Sequence, residues 1–309
     1  MTRKSKKKKA DKFFAPVLLI LGVILGLSIV LWLNLGRIRT ESNEDLRVDS
    51  TTPVEISNDD TPVNEIPEML PEEHPRDPVE DSIIPIVIVI DDVGYDIGLL
   101  HSFLRIPVPI TFAILPGLDD TTRAANLLFE RGQETLLHLP MENLGGTDPG
   151  PGTLWSDLQD EELTILLQEN IDQVPGALGM NNHMGSKGTQ DERILNLVLD
   201  YGRERGLFFL DSRTTSETKV PKVANEIGVP YLERHVFLDN ERDTEAIRQA
   251  LEQGLQGAES RGFAVMIGHV WSQELADVIF ELYPEIIEQG YEFTTLSQLL
   301  LINESARTP

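Results

Sequence analysis

The chain contains no cysteine. Disulfides are therefore excluded as a source of stability, and thiolates are excluded from any metal site. It also lacks a Gly-x-Gly-x-x-Gly after its first apolar run and a Walker loop anywhere, so nucleotide binding is unsupported. Basic residues are scarce: 26 lysines and arginines face 51 aspartates and glutamates, giving a net charge of -25 over 309 residues. Seven of those bases (Arg3, Lys4, Lys6, Lys7, Lys8, Lys9 and Lys12) crowd into residues 1–12, so the remainder is more acidic than the total implies. A polyanion needs a basic face on which to release its counterions, and this excludes nucleic acid as a partner of the body of the protein.

Charge is missing altogether from residues 13–35, a stretch of 23 dominated by Leu, Ile and Val. That length spans a hydrocarbon core of ~30 Å as a helix, and Trp32 falls where an indole suits the interface. A cleaved signal peptide has a shorter apolar core of ~7–15 residues ending in a small-x-small site. Trp32-Leu33-Asn34-Leu35-Gly36-Arg37 offers no such site. The expectation is an uncleaved signal anchor that follows a basic cytoplasmic segment, residues 1–12. The lysines before the span then hold the N-terminus in the cytoplasm and send the C-terminal part across the cytoplasmic membrane. Residues 36–84 are acidic and carry Pro53, Pro62, Pro67, Pro71, Pro75 and Pro78. With so little apolar surface to bury, the segment reads as a disordered tether.

From Pro85 the pattern changes to short apolar runs alternating with helical stretches. Strands are expected at 86–90, 109–115, 134–139, 177–182, 207–210, 229–237, 263–267 and 291–294. Helices are expected at 121–131, 162–173, 192–205 and 244–259, with Gly132 and Gly206 placed as left-handed caps. This alternation, continued to residue 302 and followed by a tail over 303–309, predicts an α/β domain with a parallel sheet or a closed barrel. The Gly- and Pro-rich stretch 143–157 is a long loop of the kind that forms a rim or lid.

Polar residues recur where these strands end. Asp91 and Asp92 close the run Ile86-Val87-Ile88-Val89-Ile90. A lone Asp-Asp-x-Gly is an acidic turn, but an unbroken buried strand ending in two carboxylates invites a site. His138 lies at the third strand, Asn181-Asn182-His183 end the fourth and Asp211-Ser212-Arg213 end the fifth. Arg234-His235 and Asp239-Asn240 accompany the sixth and His269 the seventh. Each has a plain alternative, such as a hydrogen-bonded core histidine for the imidazoles and a helix cap for Asp239-Asn240. Four of the six histidines mapping to one rim of a parallel sheet, where ligands bind in such folds, outweighs those alternatives. Imidazoles with a carboxylate and no thiolate suit Zn²⁺ or a similar divalent ion with a position open to water.

Ile90-Asp91-Asp92-Val93-Gly94, Thr111-Phe112-Ala113-Ile114-Leu115-Pro116, His138-Leu139-Pro140-Met141-Glu142, Asn182-His183-Met184-Gly185-Ser186 and Phe209-Leu210-Asp211-Ser212-Arg213 together resemble the divergent polysaccharide deacetylases. This is the YibQ-like group within the NodB-like carbohydrate esterase superfamily. The resemblance covers roughly residues 84–302 and implies a distorted (β/α) barrel over 85–302. It also implies metal-dependent removal of acetyl groups from an N-acetylated envelope polysaccharide or oligosaccharide by a bacterial hydrolase. A catalytically inactive glycan-binding or scaffold protein on the same fold is the alternative. Carried over, Asp91 is the general base and Asp92 a metal ligand, while His269 matches the late-strand histidine that protonates the leaving amine. The chain departs from ordinary members by lacking their His-Ser/Thr-x-x-His pair and their Arg-x-Pro-Tyr motif. Asp92, His138 and His183 are the replacement metal set, and Asp211, Arg213 and His235 are possible supporting residues.

Overall fold

The computed structural model describes residues 83–307. The basic segment 1–12, the anchor 13–35 and all but the end of the tether 36–84 lie outside the described residues. No helix among the described residues is long and apolar enough to cross a membrane.

Nine parallel strands form one curled sheet: β1 (Ile84–Val93), β2 (Thr111–Ile114), β3 (Glu134–Met141), β4 (Gly179–Met184), β5 (Phe208–Asp211), β6 (Tyr231–Glu233), β7 (Val236–Phe237), β8 (Ala264–His269) and β9 (Tyr291–Thr294). Their order is β6-β5-β4-β3-β2-β1-β8-β7, with β9 paired to the first residues of β1. Around them lie α1 (Leu100–Leu104), α2 (Thr121–Glu130), α3 (Asp160–Ile171), α4 (Glu192–Arg205), α5 (Val220–Ile227), α6 (Thr244–Arg261), α7 (Gln273–Glu288) and α8 (Leu296–Arg307). Local chemistry sets several of these limits. The Asp191 side chain accepts from the amides of Arg193 and Ile194 to start α4, and Gly206 ends it at φ 69°. Asp243 starts α6, and Gly262 closes it at φ 81°.

Two-residue alternation divides the apolar residues between two cores. Ile86, Ile88 and Ile90 face the helices, within one continuous outer core. Val87, Val89, Ala113, Leu136, Phe208, Leu210, Leu232, Val265 and Ile267 pack together inside the barrel, joined by Leu296 and Leu299 of α8. Helix α8 thus plugs the barrel at the N-terminal ends of the strands. Glu134, buried at the start of β3, holds the plug: its carboxylate accepts from the amides of Leu296 and Ser297 and from the Thr111 hydroxyl.

The run 229–237 is two strands at opposite edges of the sheet rather than one. Only Arg234 and His235 separate them. The Arg234 amide donates to Asp211 O on the β5 side, and the His235 amide donates to Val265 O on β8. The chain itself therefore spans the seam of the barrel, in place of a ladder between β6 and β7. At the C-terminal end, α8 continues to Arg307, into the segment expected to be a tail.

Candidate metal centre and its flanking acid and base

The alternation that points Val87 and Val89 into the barrel also points Asp91 inward, and the same reasoning brings in His138 above Leu136 and His269 above Ile267. Register puts Asp91 beside His269 and His138 beside Asn181. These residues form the uppermost layer of the barrel interior, at the C-terminal ends of the strands. Asp92 should by the same rule face the helices. A register shift between Ile90 and Val93 and a φ of 64° at Asp92 turn its carboxylate back over the mouth. An aspartate held there costs about 1–3 kcal/mol. Gly94 follows at φ 132°, and a Cβ in its place would lie 3.2 Å from Leu115 O, which explains the glycine of the Asp-Asp-x-Gly motif.

Asp92, His138 and His183 converge. Asp92 Oδ1 lies 3.1 Å from His183 Nδ1 and 3.4 Å from His138 Nε2, and the two ring nitrogens are 3.0 Å apart. Donors at 2.0–2.1 Å from a tetrahedral Zn²⁺ stand about 3.3 Å from one another. The triangle therefore has the dimensions of one face of such a site, with the fourth position open. Its chemistry agrees. Asp92 Oδ1 is buried without a hydrogen-bond partner, while Oδ2 accepts from Trp271 Nε1 at 3.1 Å. His138 donates from Nδ1 to Asn181 Oδ1 at 2.9 Å, which directs the Nε2 lone pair at the shared point. Burial opposes ionisation of Asp92, yet contact with His138 and His183 outweighs it and holds the carboxyl far below the usual range. Burial likewise favours a neutral His138, but the Asp91 and Asp92 carboxylates raise its pKa.

The other residues of the layer flank this triangle. Asp91 is buried, accepts from Asn181 Nδ2 at 2.9 Å, and has its pKa raised by that burial. Its Oδ2 is 3.7 Å from His138 Nε2. On the β8 side, Asp239 grips His269 twice, accepting from the ring Nδ1 and from the backbone amide, each at 2.8 Å. Burial alone would favour a neutral His269. The Asp239 bond and the fields of Asp239, Asp91 and Asp92 outweigh it and raise the pKa to about 8. The ring lies in a column: Trp271 stacks on it at 4.8 Å and Phe237 at 5.8 Å. The guanidinium of Arg242 covers the Trp271 ring at 4.3 Å, and that of Arg234 covers Phe237 at 3.7 Å.

The supporting residues expected from sequence fall elsewhere. His235 is not at the rim. Its Nδ1 accepts from the Val265 amide and its ring meets Phe263 edge to face, at the N-terminal end of β8. Burial and the nearby Arg261 and Arg234 lower its pKa to about 4, so it stays neutral. Asp211 is spent on the loop after β5, accepting from the Arg213 amide and the Thr218 hydroxyl. Arg213 pairs with Glu233 at 2.8 Å. Arg234, by contrast, clamps the carbonyls of Ser212 and Arg213 and feels the Asp91 charge. Asp239 is no helix cap either, since Asp243 starts α6. The long loop after β3 is tied down by Glu142, which accepts from the Ser156 amide and pairs with Lys187 at 2.7 Å.

Comparison with known proteins agrees with this architecture. An uncharacterized protein of Haemophilus influenzae is 32% identical over 184 residues, 60% of this chain and 66% of that one. The uncharacterized protein YibQ of Escherichia coli K12 is 31% identical over 204 residues, 65% of this chain and 64% of that one. The match thus spans a little under two-thirds of each relative's own length. Among solved structures, an uncharacterized protein of Agrobacterium tumefaciens C58 shares the fold, with a TM-score of 0.66 and 24% identity over 70% of this chain and 89% of that one. The divergent polysaccharide deacetylase family matches residues 88–300, nearly the whole described domain, and the chain belongs to that family.

Proposed function

We propose that the protein is a membrane-anchored, metal-dependent deacetylase of an N-acetylated envelope glycan, with residues 13–35 in the cytoplasmic membrane and the barrel on its outer side. One observation carries the reading. A buried carboxylate, Asp91, and an Asp239-held imidazole, His269, sit on adjacent strands beside three converging metal donors. Asp92, His138 and His183 would hold the divalent ion, Zn²⁺ being the choice that suits two imidazoles and a carboxylate. When bound, the ion supplies Lewis acidity to a water and to the amide carbonyl.

The chain's own residues do the rest. Asp91 accepts a proton from the attacking water, and the raised basicity that burial gives it suits that task. Asn181 fixes both Asp91 and His138, so base and ligand keep one spacing. His269, protonated below about pH 8, gives its proton to the amide nitrogen as the C–N bond breaks. Acetate and a free amine leave. Asp239 and the Trp271–Phe237 sandwich hold the imidazole in one orientation throughout.

Full-length protein should bind one divalent ion and release acetate from N-acetylglucosamine oligomers. Asp92→Ala should lose both the ion and at least about a hundredfold in rate, a loss of the size that removing a stabilising group from an active site produces. Metal binding without acetate release would leave a glycan-binding protein on the same fold. Acetate release that survives Asp92→Ala would end the mechanism.

A further inference from the structure

Three histidines stand at the mouth, and each has two ring nitrogens to account for. Both nitrogens of His138 are engaged, Nδ1 by Asn181 Oδ1 and Nε2 at the point it shares with Asp92 and His183. His269 has its Nδ1 on Asp239 and keeps Nε2 for the proton it donates. His183 is the one whose second nitrogen the mechanism leaves unused. Its Nδ1 is 3.1 Å from Asp92 Oδ1 and 3.0 Å from His138 Nε2, which commits that atom to the ion. Its Nε2 has no partner among the described residues. Yet among those residues the buried side-chain nitrogens and oxygens without a partner are Asp92 Oδ1 and Ser272 Oγ alone. His183 Nε2 is therefore not sealed in the interior but accessible.

The place of His183 in β4 accounts for this. Asn181 belongs to the layer of Asp91 and His138, both of which it holds. Two residues further on, His183 points to the same side of the sheet and lies about 6.6 Å nearer the mouth along the strand. Its side chain is 15% exposed, against 3% for that of His138. An imidazole that holds a metal ordinarily donates its other N–H to a carboxylate, a carbonyl or water. With Nδ1 committed to the ion, the ring proton sits on Nε2, and no carboxylate or carbonyl of the described residues accepts it.

We propose that His183 has two tasks: Nδ1 holds the ion, and Nε2–H donates to a neutral oxygen of the bound sugar, a hydroxyl or ether oxygen beside the acetamide. Ligand atom and donor belong to one flat, rigid ring, so the contact fixes the sugar relative to the ion. It requires no charge on the glycan. The proposal rests on the deacetylase reading for the sugar, and on the unequal surroundings of the two nitrogens for the division of labour.

The test introduces a histidine methylated on Nε2 into the full-length chain, either at position 183 or at position 138. The methyl group blocks Nε2 and leaves Nδ1 able to bind. Zinc affinity, measured by calorimetry, should survive methylation at 183 and be lost on methylation at 138, where Nε2 is the ligand. Affinity for an N-acetylglucosamine tetramer is then measured with zinc saturating and with Asp91→Asn present to stop turnover. It should fall about tenfold with the methyl group at 183, the size of one lost hydrogen bond whose partner stays desolvated. A second measurement leaves residue 183 unaltered. In the zinc-loaded parent, imidazole NMR should place the His183 proton on Nε2, and its exchange with water should slow when the tetramer is added. Zinc lost on methylation at 183 would assign the ion to Nε2 and end the proposal. Tetramer affinity unmoved by that methyl group would end it too, leaving the N–H to water. Failure of the deacetylase reading looks different: the tetramer binds and the methyl group weakens it, but the parent releases no acetate, and the contact from His183 stands.

Discussion

At the scale of single residues, the site divides into what strand ends reveal and what only folding brings together. Asp91, Asp92, His138, His183 and His269 are visible in sequence because each closes a buried apolar run, where a polar side chain is out of place without a task. Trp271 carries no such mark, and Asp239 and Arg234, though they accompany the sixth expected strand, show in sequence nothing of the contacts they make. Asp239 sits in a loop 30 residues from His269 and reads as a helix cap, and Trp271 lies 179 residues from the carboxylate it touches. His235 misleads for the opposite reason, since its apparent strand end is an internal seam.

The bond from Asp239 has a measurable effect. A histidine whose pKa is raised to about 8 is protonated below that value and loses its acid function as pH rises through it. Asp239→Asn removes the charge that sustains the imidazolium, so the pKa should fall to about the ordinary 6.5 or below. Imidazole titration by NMR in the metal-free protein would show the shift. The basic limb of the pH–rate profile should move down with it, by one unit or more. A limb that stays in place would mean that His269 is not the acid.

At the scale of elements, the strands and the helices α2, α3, α4 and α6 follow from local pattern, whereas α1, α5, α7 and α8 are not placed by it. The 192–205 helix and the 291–294 strand have the expected ends, and most others shift by one or two residues. Strand β1 was the exception in length. It continues through Asp91 and Asp92 to Val93, because the bulge at Asp92 bends the strand without ending it. The split of 229–237 had no local signal at all. A continuous strand and two short ones joined by two extended residues look alike in hydrophobic pattern, and only closure of the barrel separates them.

The plug at the far end of the barrel is an element-level feature with its own test. Glu134→Ala leaves the Leu296 and Ser297 amides and the Thr111 hydroxyl without their acceptor. At about 1–3 kcal/mol for a buried group left unsatisfied, the variant should lose at least about 2 kcal/mol in denaturant unfolding. Zinc affinity should be nearly unchanged, since Glu134 and the site lie at opposite ends of β3. A variant as stable as the parent would show that α8 docks through its leucines alone.

At the scale of the whole molecule, the proposal is of a protein held at one end by the apolar segment 13–35, behind the basic residues 1–12. Fractionation of cells making the full chain should place it with the membranes, and a chain lacking residues 1–35 should move to the soluble fraction with its zinc affinity intact. Full-length protein recovered in the soluble fraction would sink the anchor. Fold class was legible at this scale from strand and helix alternation alone. The proposed acetyl amide was not, since it came from the ordered set of motifs shared with a family, and spacing by itself permits other hydrolyses.

The seam between β6 and β7 also limits how this protein can meet others. The two outer strands have three and two residues, and residues 234 and 235 tie them to one another through the main chain. An open sheet offers its unpaired amides and carbonyls as a template for a peptide strand from another chain. Here that template is too short to register even one strand of ordinary length. The seam therefore guards the domain against edge-to-edge fibre growth, and it leaves side chains rather than sheet backbone at that edge for a partner to meet.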